Sequence, residues 1–110
     1  MKRYICNAFS LNMLPRDGSV RVIAHPYSTE HARNAVHGDG PEWISAVGHE
    51  STAAVFSAVL GREVPANRVT VELGPDDVLL VGQYHGPRLD EGATELPEGA
   101  TIEWWLVRRG

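Results

Sequence analysis

The chain has 110 residues, of which 43% are hydrophobic and 22% charged, and its 14 acidic and 10 basic side chains leave a formal net charge of −4. This length allows one domain with one hydrophobic core and is too short for two. Nonspecific binding of DNA or long RNA needs a broad basic surface, so the charge argues against both as partners. It does not exclude a small anionic ligand, because a local pocket is governed by its nearest charges and dipoles.

The single cysteine, Cys6, excludes an internal disulfide bond and gives no sign of an oxidising compartment. Its apolar context favours a protonated core thiol over a nucleophile. The opening stretch MKRYICNAFSLNML shows no signal-peptide cleavage site, and no stretch approaches the roughly 20 apolar residues of a membrane span. We therefore expect a cytoplasmic protein without a membrane partner.

The first half of the chain predicts two strands and a helix. Residues 3–9 are β-branched and aromatic enough for a strand, and the turn signal RDGS at 16–19 leads into a second strand over 19–24. These two strands are expected to form a hairpin. Ser28 is typical of the N-cap of a short helix that runs to about Val36.

The clearest helix of the chain follows over residues 51–60, where the apolar side chains form one broad face. Ser51 or Thr52 has the small hydroxyl that a helix N-cap requires. Gly61 stands where a left-handed residue commonly ends a helix. Gly48, His49 and Glu50 would then precede the cap.

Three more strands are predicted over 64–73, 76–84 and 101–107. Between the last two lies the stretch 86–100, which is rich in glycine, proline and acidic residues and has no pattern of a regular element beyond one turn. A loop this long in so small a domain is usually functional or mobile.

This order of elements predicts a single domain over residues 1–110, of the α+β (mixed α/β) class. Its core would be one mixed, mostly antiparallel β-sheet of about five strands, flanked by helices. Trp104 and Trp105 are consecutive in a strand and must face opposite sides of the sheet. One of them is therefore expected to cover a second layer or a partner subunit.

Histidine spacing gives no support for a metal site. His25, His31 and His37 are six residues apart and do not share a helical face, and the Gly-His-Glu stretch that contains His49 lacks the second histidine of a zinc helix. These three histidines are expected to be solvated loop and helix residues. No Gly-x-Ser-x-Gly motif of a serine hydrolase is present either. We expect no metal and no other cofactor.

Three polar clusters remain as candidates for chemistry. His49 precedes a helix whose first N–H groups suit a phosphate, so its imidazole could act as a general acid or base on a phosphodiester, or it could be a packing or capping residue. Arg88 has the planar fork that holds two phosphate oxygens, and Glu91 could accept a proton or fix a ribose hydroxyl. The alternative for this pair is an exposed ion pair on a mobile loop.

The third cluster, Asn7, Ser10 and Asn12, follows the first strand. Its short polar side chains could cap the next turn. They could equally contact an adenine edge or a phosphate, because an asparagine amide offers both a donor and an acceptor.

Together these clusters resemble the viral anti-CRISPR ring nucleases of type III CRISPR systems and their cellular relatives. The resemblance runs in order over nearly the whole chain, through NAFSLNML at 7–14, VGHESTA at 47–53, NRV at 67–69 and GPRLDEG at 86–92. Members of that family are small homodimers that degrade cyclic tetra-adenylate to linear di-adenylates with 2′,3′-cyclic phosphate ends, without metal.

The resemblance implies that His49 is the general acid that protonates the leaving 5′-oxygen while the 2′-hydroxyl of the substrate attacks phosphorus. Glu91 matches the second catalytic residue, and Arg88 matches the arginine that grips the phosphate. Gly48 is expected to let the backbone approach the ligand. The remaining ligand-contacting positions would be Asn7, Ser10, Asn12 and Gln83.

The chain departs from the viral members at Tyr84-His85-Gly86-Pro87, where the loop is one residue longer. This leaves the role of Gln83 open. His85 could touch the ligand or be a solvated loop histidine.

A cyclic tetranucleotide can share a two-fold axis with an isologous dimer, so each subunit would present one His49 to opposite phosphates of the ring. Two alternatives to the enzyme stay open. One is a sponge that sequesters a cyclic nucleotide defence signal without cutting it. The other is a structural or interaction protein of the same fold.

Overall fold

A computed structural model describes residues 1–110. The chain forms five strands and two α-helices, with one turn of 3₁₀ helix at Leu11–Met13. In chain order the elements are β1 (Arg3–Cys6), β2 (Val22–Tyr27), α1 (Thr29–His37), β3 (Trp43–Ser45), α2 (Glu50–Leu60), β4 (Val78–His85) and β5 (Thr101–Arg109). None of the helices is long and apolar enough to cross a membrane.

The strands form one sheet in the order β2-β5-β4-β1-β3. β1 pairs in parallel with both β3 and β4, whereas β5 runs antiparallel to β4 and β2. The two antiparallel ladders are longer than the two parallel ones. The predicted α+β domain, with a mixed and mostly antiparallel sheet of about five strands, is confirmed.

The sheet is covered differently on its two faces. On one face α1 and α2 pack over a core that contains Ile5, Phe56 and Trp104. On the other face a second cluster contains Cys6 and Val107, and the irregular chain around residues 71–73 covers it in part. The sheet is thus the middle layer of the domain.

The two tryptophans lie on opposite faces of the sheet, as predicted. Trp104 is 1% exposed and its ring tilts against that of Phe56, with the ring centroids 5.0 Å apart. Trp105 is only partly buried, against the second cluster. Cys6 is the predicted core residue, with 1% of its surface exposed, and burial raises the pKa of its thiol to about 12.

The helix ends follow their sequence signals. Ser28 is the N-cap of α1, and its Oγ accepts a hydrogen bond from the backbone N–H of His31 at 3.0 Å. Gly61 ends α2 in the left-handed conformation, with φ 70° and ψ 25°. The start of α1 and the end of α2 are predictable from the sequence because capping depends on only a few neighbouring residues.

The predicted hairpin of the first two strands is wrong. β1 lies inside the sheet between β3 and β4, while β2 is the edge strand beyond β5. β1 is buried on both faces, as a parallel strand requires, and the exposed Pro26 and His25 suit β2 to an edge. Long-range packing rather than the intervening turn therefore decides which strands pair.

The predicted strand over 64–73 is also wrong, and its place in the sheet is taken by β3, which the sequence did not indicate. Val71 and Leu73 are buried in alternation with exposed neighbours, but the segment joins no ladder. An extended chain that lies across a sheet face shows the same alternation as a strand. β3 has only three residues, too few to show a periodicity.

Gly82 leaves room at the sheet for the two largest fully buried side chains, Trp104 and Phe56, and this gives a test of the packing. A Cβ at this position would lie 2.6 Å from Trp104 Cζ3 and 2.7 Å from Phe56 Cζ. We expect Gly82→Ala to lower the free energy of unfolding by about 1–3 kcal/mol, measured by urea denaturation. Gly38→Ala is the matched control, because the nearest atom to its Cβ would be 3.4 Å away. Equal stability of the two variants would contradict this packing.

Candidate functional site

Three parallel strands bring the candidate residues to one edge of the sheet. β3, β1 and β4 run in the same direction, so their carboxyl ends point to the same end of the sheet, where β4 continues four residues beyond the pairing of Cys6 with Val81. Asn7 follows β1, Gly48 and His49 follow β3, and Arg88 follows β4. Ligands of sheets with parallel strands commonly bind at this edge.

His49 is itself the N-cap residue of α2, with an extended backbone at φ −110° and ψ 129°. The prediction that Ser51 or Thr52 caps this helix is therefore wrong. The His49 side chain makes no capping hydrogen bond, and the first N–H bonded within the helix is that of Ala53, to the His49 carbonyl at 2.9 Å. The N–H groups of the preceding turn have no partner in the helix, which leaves a partial positive charge beside the imidazole.

Ser51 does not cap α2 but connects the loop between β4 and β5 to the start of this helix. Its Oγ donates a hydrogen bond to the carbonyl of Asp90 at 3.1 Å. The Ala93 N–H closes a turn onto the same carbonyl at 3.0 Å, and Gly92 takes its third position with φ 84°. Glu91 lies between these anchors, so the turn sets where its carboxylate can reach.

Two clefts flank the N-terminus of α2, and His49, Ser51 and Glu91 line both of them. The first, the Arg68 cleft, has a volume of about 710 Å³ and is also lined by Gly48 and Arg68. The second, the Arg88 cleft, has a volume of about 750 Å³ and is also lined by Thr52, Tyr84, Gly86, Arg88, Leu89 and Asp90. The structure thus brings together four of the predicted site residues: Gly48, His49, Arg88 and Glu91.

Arg88 and Glu91 do not form the ion pair that was the alternative to a site. The structure contains one contact of this kind, in which His85 Nε2 lies 3.6 Å from Glu103 Oε1. Arg88 is exposed, and the loop that carries it is held by a hydrogen bond from the Tyr84 hydroxyl to the Pro87 carbonyl at 2.7 Å. Its guanidinium is therefore free to bind an anion.

Asn7 and Gln83 lie apart from the two clefts. Both line a third pocket of about 440 Å³ whose walls include Phe9, Val81 and Trp105. Gln83 is two residues from Val81 on β4, so it faces the side of the sheet opposite the helices. Within one chain these two amides do not join His49.

Ser10 and Asn12 make local contacts. Ser10 caps the 3₁₀ turn, with its Oγ accepting a hydrogen bond from the Asn12 N–H at 3.2 Å. The Asn12 side-chain oxygen accepts another from Arg16 Nη2 at 3.1 Å. The turn-capping interpretation of these residues is thus observed, and neither lines a cleft.

Comparison with known proteins assigns the chain to a family. The family model described as STIV B116-like matches residues 3–103, a range that includes every residue of both clefts. The chain belongs to the STIV B116-like family. It is similar to "Uncharacterized protein 26" of Sulfolobus islandicus filamentous virus (isolate Iceland/Hveragerdi), with 36% identity over 90 residues, which are 81% of this chain and 72% of that protein.

The fold of this STIV B116-like chain is similar to that of B116 of Sulfolobus turreted icosahedral virus. The TM-score is 0.77 and the identity 25%, over 98% of this chain and 99% of that one. Both relatives are virus proteins. The part of the sequence resemblance that is confirmed is the similarity to a family with virus proteins.

Arg68 is the site residue of this STIV B116-like chain that sequence reasoning did not single out. Its Nε donates a hydrogen bond to the Gly48 carbonyl at 3.1 Å, across 20 positions of the chain. A Cβ on Gly48 would lie 3.0 Å from Arg68 Cγ, so the arginine stem packs closely against this glycine. The stretch NRV at 67–69 carried the resemblance, but its local pattern indicated a strand.

His85 points away from the clefts. It neighbours Tyr84 on β4 and so faces the other side of the sheet, where it pairs with Glu103. The other histidines are dispersed. His25 lies in β2, His31 stacks on Tyr27 with ring centroids 3.8 Å apart, and an imidazole nitrogen of His37 lies 2.9 Å from the Leu60 carbonyl.

The bond from Ser51 to Asp90 gives a test of the loop placement. We expect Ser51→Ala to speed amide hydrogen exchange in residues 88–93, because the loop loses its tie to α2, while stability falls by only about 0.5–1.5 kcal/mol. Thr52→Ala is the matched control, because the Thr52 hydroxyl has no hydrogen bond to the loop. Identical exchange in the two variants would show that Ser51 does not hold the loop.

Proposed function

We propose that this protein is a metal-independent ring nuclease that binds cyclic tetra-adenylate across a homodimer and cleaves it to linear di-adenylates. The observation that carries the proposal is that His49, Glu91 and Arg88 line one cleft at the open N-terminus of a helix. The sequence resemblance to the viral anti-CRISPR ring nucleases assigns roles to the same three residues. Membership of a family with virus proteins is compatible with it.

The Arg88 cleft suits a phosphodiester because it combines a guanidinium with the open N-terminus of a helix. Unpaired N–H groups of the first turn of α2 would bind the non-bridging oxygens, and the helix dipole adds a partial positive charge. Arg88, which has no acidic partner, would hold the phosphate through its planar fork. A chain of net charge −4 can bind an anion here because a local site is governed by its own groups. In this cleft they are Arg88, His49 and the open helix N-terminus, beside the carboxylates of Asp90 and Glu91.

The proposed reaction is a transesterification within the substrate. The ribose 2′-oxygen attacks phosphorus and gives up its proton to the Glu91 carboxylate, while the bond from phosphorus to the 5′-oxygen breaks. Protonated His49 donates its proton to that leaving oxygen. The product end is a 2′,3′-cyclic phosphate, and two such cuts on opposite sides of the ring yield two di-adenylates.

The homodimer supplies the second cut. The pocket that holds Asn7 and Gln83 leaves apolar surface uncovered on the sheet, where Phe9 is 37% exposed and Trp105 is partly so. A second copy of the chain covering this face would bury that apolar surface and supply another His49 for the same ring. A two-fold axis through the ring presents both histidines equally.

In a cell this activity would switch off the cyclic tetra-adenylate signal of type III CRISPR defence in the cytoplasm, where that signal acts. The alternative of a sponge is distinguished by the fate of the ligand. An enzyme returns cut di-adenylates when the complex is denatured, whereas a sponge returns the intact ring. Two acid–base groups beside one anion site favour the enzyme, because sequestration needs neither.

The proposed role of His49 predicts that His49→Ala still binds cyclic tetra-adenylate but cleaves it at least roughly 10²-fold more slowly, because the leaving oxygen loses its proton donor. The measurement is single-turnover cleavage in EDTA, with products resolved by mass. His25→Ala is the matched control, since His25 is an exposed histidine on the far edge strand.

Full activity of the His49→Ala protein would overturn the assignment of the general acid. Absence of binding to any cyclic nucleotide by the unmodified protein would favour the structural or interaction protein instead.

A further inference from the structure

Arg88 is placed in its cleft by the loop backbone and not by contacts of its own side chain. The side chain is exposed and forms no ion pair. A long side chain without partners populates many rotamers, so the backbone that carries it decides which region the guanidinium can reach. The groups that hold the backbone at this point therefore also place the guanidinium.

Two side-chain hydroxyls hold the loop, one on each side of Arg88. The Tyr84 Oη donates a hydrogen bond to the carbonyl of Pro87 at 2.7 Å, immediately before Arg88. The Ser51 Oγ donates to the carbonyl of Asp90 at 3.1 Å, two residues after it. Arg88 is one of only two residues between these anchors. Of the two hydroxyls, that of Tyr84 acts closest to it along the chain.

The phenol ring of Tyr84 is packed into the loop. β4 directs this residue to the helix side of the sheet, where it lines the Arg88 cleft. A Cβ on Gly86 would lie 2.8 Å from Tyr84 Oη and 2.6 Å from Ala100 Cβ, so the end of the ring lies directly against the glycine backbone. Pro87 follows, and its ring limits φ to about −65°. The loop is thus shaped around the tyrosine hydroxyl.

The same stretch is where the sequence departs from the viral ring nucleases that it resembles. Tyr84-His85-Gly86-Pro87 makes the loop one residue longer. A longer loop has more conformations, so an added residue would leave Arg88 less well placed unless another contact closes the added length. The hydrogen bond of Tyr84 with Pro87 closes it, because it joins two residues three positions apart across this stretch.

We propose that Tyr84 is a positioning residue, whose hydroxyl holds the Pro87 carbonyl so that the Arg88 guanidinium reaches the scissile phosphate. This inference rests on the proposed function, because it takes the contact between Arg88 and the phosphate from it. The tyrosine acts through the loop backbone. Without its hydroxyl the loop is less ordered, and binding of the phosphate must then order it.

The test uses cyclic tetra-deoxyadenylate, which keeps all four phosphates but lacks the 2′-hydroxyl needed for cleavage. Its Kd is measured by calorimetry for Tyr84→Phe, for Arg88→Gln and for the double variant. We expect Tyr84→Phe to raise the Kd roughly three- to tenfold in the otherwise unmodified protein. In the Arg88→Gln protein it should change the Kd by less than about twofold, because the group that it positions is gone.

The salt dependence of the Kd distinguishes a displaced charge from a lost uncharged contact. For a single-stranded ligand the slope of log Kd against log KCl falls by about 0.7 for each phosphate contact that is lost. Tyr84→Phe removes no charge, so it lowers this slope only by displacing Arg88. We expect the slope to shift toward that of Arg88→Gln.

Tyr27→Phe is the matched control, since it removes the same hydroxyl from a partly buried tyrosine on β2, the far edge strand. It should leave the Kd and the slope unchanged. If the Tyr84 hydroxyl only stabilises the fold, Tyr84→Phe will weaken binding equally with and without Arg88, at the slope of the unmodified protein, and the positioning role is overturned. Binding by Tyr84→Phe that equals that of Tyr27→Phe overturns it as well.

The two proposals fail in different ways. If the unmodified protein binds no cyclic tetra-deoxyadenylate and leaves cyclic tetra-adenylate intact, the proposed function is overturned and the positioning role with it. If the unmodified protein binds and cleaves, and the effects of Tyr84→Phe and Arg88→Gln on the Kd multiply, only the positioning role is wrong.

Discussion

The parallel pairing of β1 with β3 and β4 is the constraint on which the rest of this structure depends. Because of this pairing, the carboxyl ends of three strands point to the same end of the sheet. Each strand is followed there by a segment with polar residues. The N-terminus of α2, the loop of Arg88 and Glu91, and Asn7 all start there. A hairpin of β1 with β2 would have removed the strand that lies between β3 and β4 and aligns them.

The site is held together by backbone geometry and a few hydrogen bonds rather than by a buried polar network. His49 occupies the N-cap position without capping the helix, which frees the imidazole and leaves the first N–H groups available. Ser51 holds the turn of Glu91, and Arg68 lies against the backbone of Gly48. Both hydrogen bonds involve the first turn of α2 or the residues just before it. The N-terminus of α2 therefore positions both the Glu91 loop and Arg68.

Apart from the fold class, the features that the sequence predicted correctly are local ones. The helix ends at Ser28 and Gly61 and the opposed faces of Trp104 and Trp105 follow from a few neighbouring residues. The failures are long-range. The residues of 64–73 alternate as a strand does, but their burial comes from lying across a sheet face, and the three residues of β3 carry no period of their own.

The same division applies to the candidate site. Gly48, His49, Arg88 and Glu91 come together as expected, because they lie at the ends of regular elements. Arg68 was missed, since its significance comes from a hydrogen bond to a carbonyl 20 positions away. Asn7 and Gln83 face a separate pocket, and the extra loop residue beside His85 gave no sign of which face that side chain would take.

The central claim is that the substrate's own hydroxyl, with protein acid–base groups and no metal, cuts the ring at the N-terminus of α2. It is tested most directly by incubating the protein with cyclic tetra-adenylate and EDTA in ¹⁸O-labelled water and weighing the first products. The account predicts di-adenylates with cyclic phosphate ends that contain no ¹⁸O, because water is not the nucleophile. An intact ring, or a first product that carries ¹⁸O, would contradict it.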